Sequence, residues 1–147
     1  MFKVHAEITI GRPIEEVFTF IAENENDPQW CVPVVETTRI SGDKPGVGAR
    51  YSFASKTSFF KAGGEFEITE FESPTRIGWL GTSPFGKYTG YYQLESEKDG
   101  STNLREHITF EYQGLWKLFE SIHSGQFAKN YDLQLNRLKR LLESVAA

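Results

Sequence analysis

The chain has 147 residues, a formal net charge of −4 and 24% charged residues, with 14% aromatic residues as its unusual feature. That length suits one domain with one substantial core, and the charge argues against sequence-independent nucleic-acid binding, which needs clustered basic residues. The single cysteine, Cys31, excludes an internal disulfide and a multi-cysteine zinc site; it is compatible with a reducing cytoplasm.

Phe2, Val4, Ala6, Ile8 and Ile10 alternate with Lys3, His5, Glu7 and Thr9, which predicts a strand with one buried face rather than a signal peptide. Gly11 ends it. Pro13 suits a first helical position, and Ile14, Val17, Phe18 and Ile21 follow at helical spacing, so a short amphipathic helix is predicted over 13–22. A second short helical turn is predicted from Asp27 to Cys31, ended by Pro33. Strands are then expected at Val34 to Ile40, Val47 to Phe53, Glu65 to Glu72, Arg76 to Thr82, Tyr88 to Glu97 and Thr102 to Tyr112. Short turn-rich connections separate them, including Ala62-Gly63-Gly64, and such connections force antiparallel neighbours.

The last segment changes period. Leu115, Leu118, Phe119 and Ile122 repeat at three and four, and the stripe resumes with Tyr131, Leu135, Leu138, Leu141, Leu142 and Val145. One helix is expected over residues 114 to 145, with this stripe buried against the concave face of the sheet. No run of apolar residues reaches the 18 or so that a membrane-spanning helix needs. No repeat or linker divides the chain, so one domain over 1–147 is expected.

The opening Ala6-Glu7-Ile8-Thr9-Ile10-Gly11-Arg12-Pro13-Ile14-Glu15-Glu16-Val17-Phe18-Thr19-Phe20-Ile21-Ala22 resembles that of the polyketide cyclase/dehydrase family within the START/Bet v 1-like (SRPBCC) superfamily. So do Asp27-Pro28-Gln29-Trp30, Gly46-Val47-Gly48-Ala49-Arg50-Tyr51 and the ending Leu138-Lys139-Arg140-Leu141-Leu142-Glu143. The resemblance spans essentially the whole chain, and its motifs mark turns and packing rather than an activity. It implies an α+β helix-grip fold: a seven-stranded curved antiparallel sheet around a long C-terminal helix, with two short helices after the first strand. It further implies a cavity for a small hydrophobic molecule such as a lipid, sterol or polyketide, with a minority of members acting as cyclases or dehydratases.

Strand parity then selects the inward residues. With Val4, Tyr51 and Phe53 facing inward, so do Phe66, Ile68, Ile77, Trp79, Tyr92, Leu94, Leu104, Ile108, Phe110 and Tyr112. Glu106 shares that parity, and a buried carboxylate is costly unless it is paired, protonated or facing a polar space. Two readings stand: an acid, base or ligand anchor on the cavity wall, or a bulge that returns Glu106 to solvent. In the helix, His123-Ser124-Gly125-Gln126-Phe127-Ala128 interrupts the leucine stripe, as expected if this turn borders space, with Gly125 allowing close approach; a kink is the alternative. His123 is a second acid–base candidate.

Trp30 is expected at the cavity mouth, either over a ligand or packing the lid, and Phe85 in its loop is open between gate and core. The expected ligand-binding set is Trp30, Tyr51, Phe53, Phe66, Trp79, Tyr92, Glu106, Phe110, Tyr112, Phe119, His123 and Phe127. His5 and His107 lie on polar strand faces, and no HxH or HxxxH pair occurs, so neither a metal nor another cofactor is expected. Gly46/Gly48 and Gly63/Gly64 are read as hairpin glycines, not phosphate loops, and no Gly-x-Ser-x-Gly elbow is present. Three functions remain: a carrier of a small hydrophobic molecule, a cyclase or dehydratase using Glu106 or His123, and an interaction module without a usable cavity. Nothing in the sequence selects an oligomeric state.

Overall fold

Alternating strands and one long helical period give, in the computed structural model, a curved sheet wrapped against a helix; residues 1–56 and 61–144 are described. In chain order come β1 (Phe2–Ile10), α1 (Ile14–Ala22), a 3-10 helix (Asn24–Gln29), β2 (Val34–Ser41), β3 (Arg50–Lys56) and β4 (Lys61–Glu72). They are followed by β5 (Arg76–Ser83), β6 (Gly86–Ser96), β7 (Thr102–Tyr112), a second 3-10 helix (Gly114–Phe119) and α2 (Glu120–Ser144). The seven strands form one antiparallel sheet in the order β1-β7-β6-β5-β4-β3-β2. The first strand thus adds to the last, and β7 lies between β1 and β6. This is the helix-grip arrangement.

The end of α2 is tied to β1 and its following turn. Lys139 Nζ donates to the Thr9 carbonyl at 2.7 Å, and Gly11 N donates to Glu143 at 2.8 Å. Two apolar clusters pack between sheet and helices. The larger joins Ile10, Val17, Phe18, Ile21, Trp30, Tyr51, Ile77, Leu94, Leu104, Leu135 and Leu138. The smaller is Ile108, Phe110 and Tyr112 with Phe2, Phe85, Tyr88 and Phe127 around it. Trp79 and Tyr131 touch both. Along β7 the inward residues run Leu104, Glu106, Ile108, so the carboxyl sits where one apolar cluster gives way to the other.

Three expectations are corrected. Residues 62–64 lie inside β4 rather than in a turn, because Gly63 and Gly64 allow strands to approach at close range. A Cβ on Gly63 would sit 2.6 Å from the Phe53 carbonyl oxygen, and one on Gly64 would collide with that of Thr82. Second, the leading part of the expected apolar stripe is outside: Leu115 is 81% exposed, Leu118 74% and Ile122 68%. Residues 114–119 wind as a 3-10 helix, and the inward face of α2 instead runs through His123, Phe127, Tyr131, Gln134 and Leu138. Third, Gly125 makes no close approach; a Cβ there would meet nothing within 4 Å. Val145 lies outside the described residues.

The glycines therefore predict opposite mutational signs. Gly64→Ala should lower stability by ~3 kcal/mol, because the obstacle is backbone. Gly125→Ala, on an exposed helical position, should raise it by ~1 kcal/mol. Chemical denaturation of the two variants beside the parent checks both signs.

Candidate functional site

Between the two apolar clusters the sheet and α2 leave a cavity of about 340 Å³. Its apolar wall comes from Phe53, Phe66, Trp79, Ile108, Phe110 and Phe127. The exposed Gln126 also lines it and marks the side that meets solvent. Buried polar groups also line it: Glu106, Gln134, Tyr92 and Asp27.

Glu106 is 2% exposed, so strand parity is kept and no bulge returns it to solvent. Its cross-strand neighbours are Ala6 on β1 and Tyr92 on β6. The Gln134 amide reaches it from α2, with Nε2 3.0 Å from one carboxyl oxygen and 3.3 Å from the other. The same side chain accepts a hydrogen bond from Val32 N at 3.1 Å through its own oxygen. One carboxamide thus joins helix, sheet and the loop after the first 3-10 helix, and each end is satisfied by a partner of the right polarity. Burial raises the Glu106 pKa from its ordinary 4.5 to about 8; hydrogen bonds from Gln134 and Tyr92 oppose the rise, and the Asp27 charge adds to it.

Asp27 is the second carboxyl of the cavity, and sequence reasoning missed it as a site residue. Its backbone carbonyl accepts from Trp30 N and Cys31 N as the 3-10 helix closes, which fixes the side chain's origin. One carboxyl oxygen accepts from Asn24 Nδ2 at 3.2 Å; the other, Oδ1, is buried without a hydrogen-bond partner. Burial again dominates, raising its pKa to about 8 against the Asn24 hydrogen bond, with a smaller contribution from Glu25. Cys31 lines the same space, and burial followed by the charges of Asp27 and Glu106 pushes its thiol well up, which makes it a poor nucleophile.

Of the residues expected from sequence, the structure brings Phe53, Phe66, Trp79, Tyr92, Glu106, Phe110, His123 and Phe127 to the cavity wall. Four stand elsewhere. Trp30 is fully buried in the larger cluster behind Tyr92, with ring centroids 5.9 Å apart, so it is packing rather than a cover. Tyr51 stacks behind Phe66 at 5.1 Å. Tyr112 lies behind His123, its hydroxyl 2.7 Å from Nδ1, and burial followed by the Glu120 charge pushes its pKa to about 12. Phe119 is on the exposed 3-10 helix, 42% accessible. Parity and helical period choose a face, but not whether another ring stands in between.

Phe85 folds inward onto the wall, 5.7 Å from Tyr112 and 4.7 Å from Trp116. Gln134 did carry a sequence signal, as a polar residue between Tyr131 and Leu138 on the inward helical stripe. Asp27 carried none, since a 3-10 turn has no long period to violate. Among the described residues, no group of three or more His, Cys, Asp or Glu side chains is placed to hold a metal ion, and no helix is long and apolar enough to cross a membrane.

The carboxyls set a pH dependence of stability. Their folded-state pKa values lie above the ordinary 4.5 and 3.8, so the folded protein binds more protons than the unfolded chain between those values and about 8. Stability is fully held below that window and falls as pH rises through it. The thermal midpoint should therefore drop from about pH 5 to about pH 8, and Glu106→Gln should flatten part of that slope. Calorimetry of parent and variant across this range is the check; equal slopes would contradict the assignment.

A family model described as polyketide cyclase/dehydrase and lipid transport matches residues 1–143. No curated protein matches the sequence. Among solved structures, the protein TTHA0849 from Thermus thermophilus is similar at 17% identity and a TM-score of 0.84, covering 99% of this chain and 100% of its own. The Zhui aromatase/cyclase from Streptomyces sp. R1128 matches at 12% identity and 0.86, over 99% and 96%. Ara h 8.0201 matches at 16% and 0.73, over 97% and 98%. At these identities the structures establish a shared fold, while the family model spans nearly the whole chain. The protein belongs to the polyketide cyclase/dehydrase and lipid transport family.

Proposed function

We propose that this protein binds one small hydrophobic molecule, lipid- or polyketide-like, in the cavity between the sheet and α2. The observation that carries this reading is the 340 Å³ space walled by large apolar side chains, with the buried Glu106, Gln134 and Asp27 among its polar groups. That volume is within the range of small-molecule sites, and the division of labour is the usual one: apolar area supplies affinity, and a few polar atoms set orientation. An interaction module without a cavity would call for an interior filled by side chains, and this void weighs against it. The unpaired Cys31 is compatible with a cytoplasmic carrier.

A second reading, an aromatase/cyclase or dehydratase, is favoured by one specific feature: two buried carboxyls whose pKa values stand near 8. In the acid form Glu106 would protonate a substrate carbonyl oxygen during aldol cyclisation or dehydration, and its carboxylate would take a proton back. His123, also on the wall, stands as the other acid–base candidate for this reading. The structural similarity to an aromatase/cyclase supports the same reading at the level of fold.

Ala62 lines the cavity as a small residue on β4, so Ala62→Trp should fill it. Titration with the neutral dye Nile red should give saturable fluorescence with the parent and an affinity at least about tenfold weaker with the variant, both proteins keeping the same circular dichroism. Equal binding would place the dye elsewhere and contradict the cavity as the site.

A further inference from the structure

The wall is polar in a one-sided way. Asp27 and Glu106 both line the cavity, while no lysine or arginine does so among the described residues. Two arginines stand nearby without lining the cavity: Arg39 is paired with Glu25 at 3.2 Å, its other terminal nitrogen buried without a hydrogen-bond partner, and Arg137 on α2 acts on Cys31 by its charge. Glu106 receives only uncharged donors, and one oxygen of Asp27 has no hydrogen-bond partner despite full burial. Two carboxyls in an apolar space, one close enough for its charge to raise the pKa of the other, are compensated most directly by a cation. Aromatic rings stand around them. Tyr92 and Trp79 lie with centroids 4.6 Å apart, and Phe66, Tyr88 and Phe110 complete the wall. Such ring faces attract an ammonium group as well as hydrocarbon.

We infer that the cavity selects a lipophilic amine, whose ammonium group lodges between Asp27 and Glu106 while its hydrocarbon part fills the aromatic wall. This rests on the reading of the cavity as a hydrophobic-ligand site and adds the chemical class. A carboxylate ligand is disfavoured, because it would bring a third acidic group to a wall without a positive charge. In the ligand-free protein the carboxyls hold protons; the arriving ammonium ionises one of them, and that proton leaves to buffer. The other titratable groups around the pair are Tyr88, Tyr92, Tyr131 and Cys31, all pushed upward and uncharged at neutral pH, with His123 also on the wall.

The test is calorimetric titration at about pH 7 with three probes sharing one ring system: naphthylethylamine, naphthylethanol and naphthylacetate. The amine should bind at least about tenfold tighter than the alcohol, the acid weakest, and amine binding should release a proton, read as a buffer-dependent heat. Glu106→Gln should bring the amine-to-alcohol ratio close to one and remove the proton release. Asp27→Asn is the second variant should the first not fold, with the same expectation. An alcohol that matches or exceeds the amine overturns the amine assignment and leaves the hydrophobic cavity standing; failure of all three probes together with Nile red overturns both.

Discussion

The hydrogen bonds between Gln134 and Glu106 hold the interior in its observed form. A carboxyl group in the middle of β7 would ordinarily be expelled to water, since burying it ionised and unpaired is prohibitive. Here it is kept inside by an amide from α2, and that amide is anchored in turn by Val32. Helix, strand β7 and loop are registered against one another through a single side chain. On either side of it the interior is ordinary apolar packing, with leucines and isoleucines toward α1 and stacked aromatic rings toward the start of α2. The cavity lies where these two packings fail to meet.

The same few residues therefore set stability and proposed function together. A cavity costs packing energy, and buried acids make the protein less stable as pH rises. Both are features that a purely structural interior would avoid, as do sequences in which every level of preference agrees. Asp27 adds to the contrast, because its partnerless oxygen is the kind of buried polar atom that native interiors rarely leave unmet. The functional reading needs no further residue than those that already break the packing rules.

Much of the architecture was legible in sequence, for identifiable reasons. Period-two alternation in β1 and β7 put Val4, Ile108 and Glu106 on the correct face, and a one-residue slip would have sent all of them outward. The polar interruption near His123 did mark the part of α2 that borders the cavity. The errors are equally physical. Gly63-Gly64 reads as a turn to any propensity argument, yet the pair lets β4 approach its neighbours. Leu115, Leu118 and Ile122 have helical spacing, but spacing does not say which of two apolar faces turns inward, and here the mixed one of His123, Phe127 and Tyr131 does. The Gln134 bridge depends on contacts between elements far apart in the chain, which no local pattern encodes, and Asp27 sits in a 3-10 turn too short to show a period.

The central claim is that Glu106 is an uncompensated buried acid facing a hollow, and infrared difference spectroscopy with carbon-13-labelled glutamate addresses it directly. A protonated carboxyl stretch is expected in the ligand-free protein at neutral pH, lost on titration through about pH 8 and missing in Glu106→Gln. A Glu106 that is already ionised at about pH 5 would contradict it, because the group would then have to be solvated or paired with a cation.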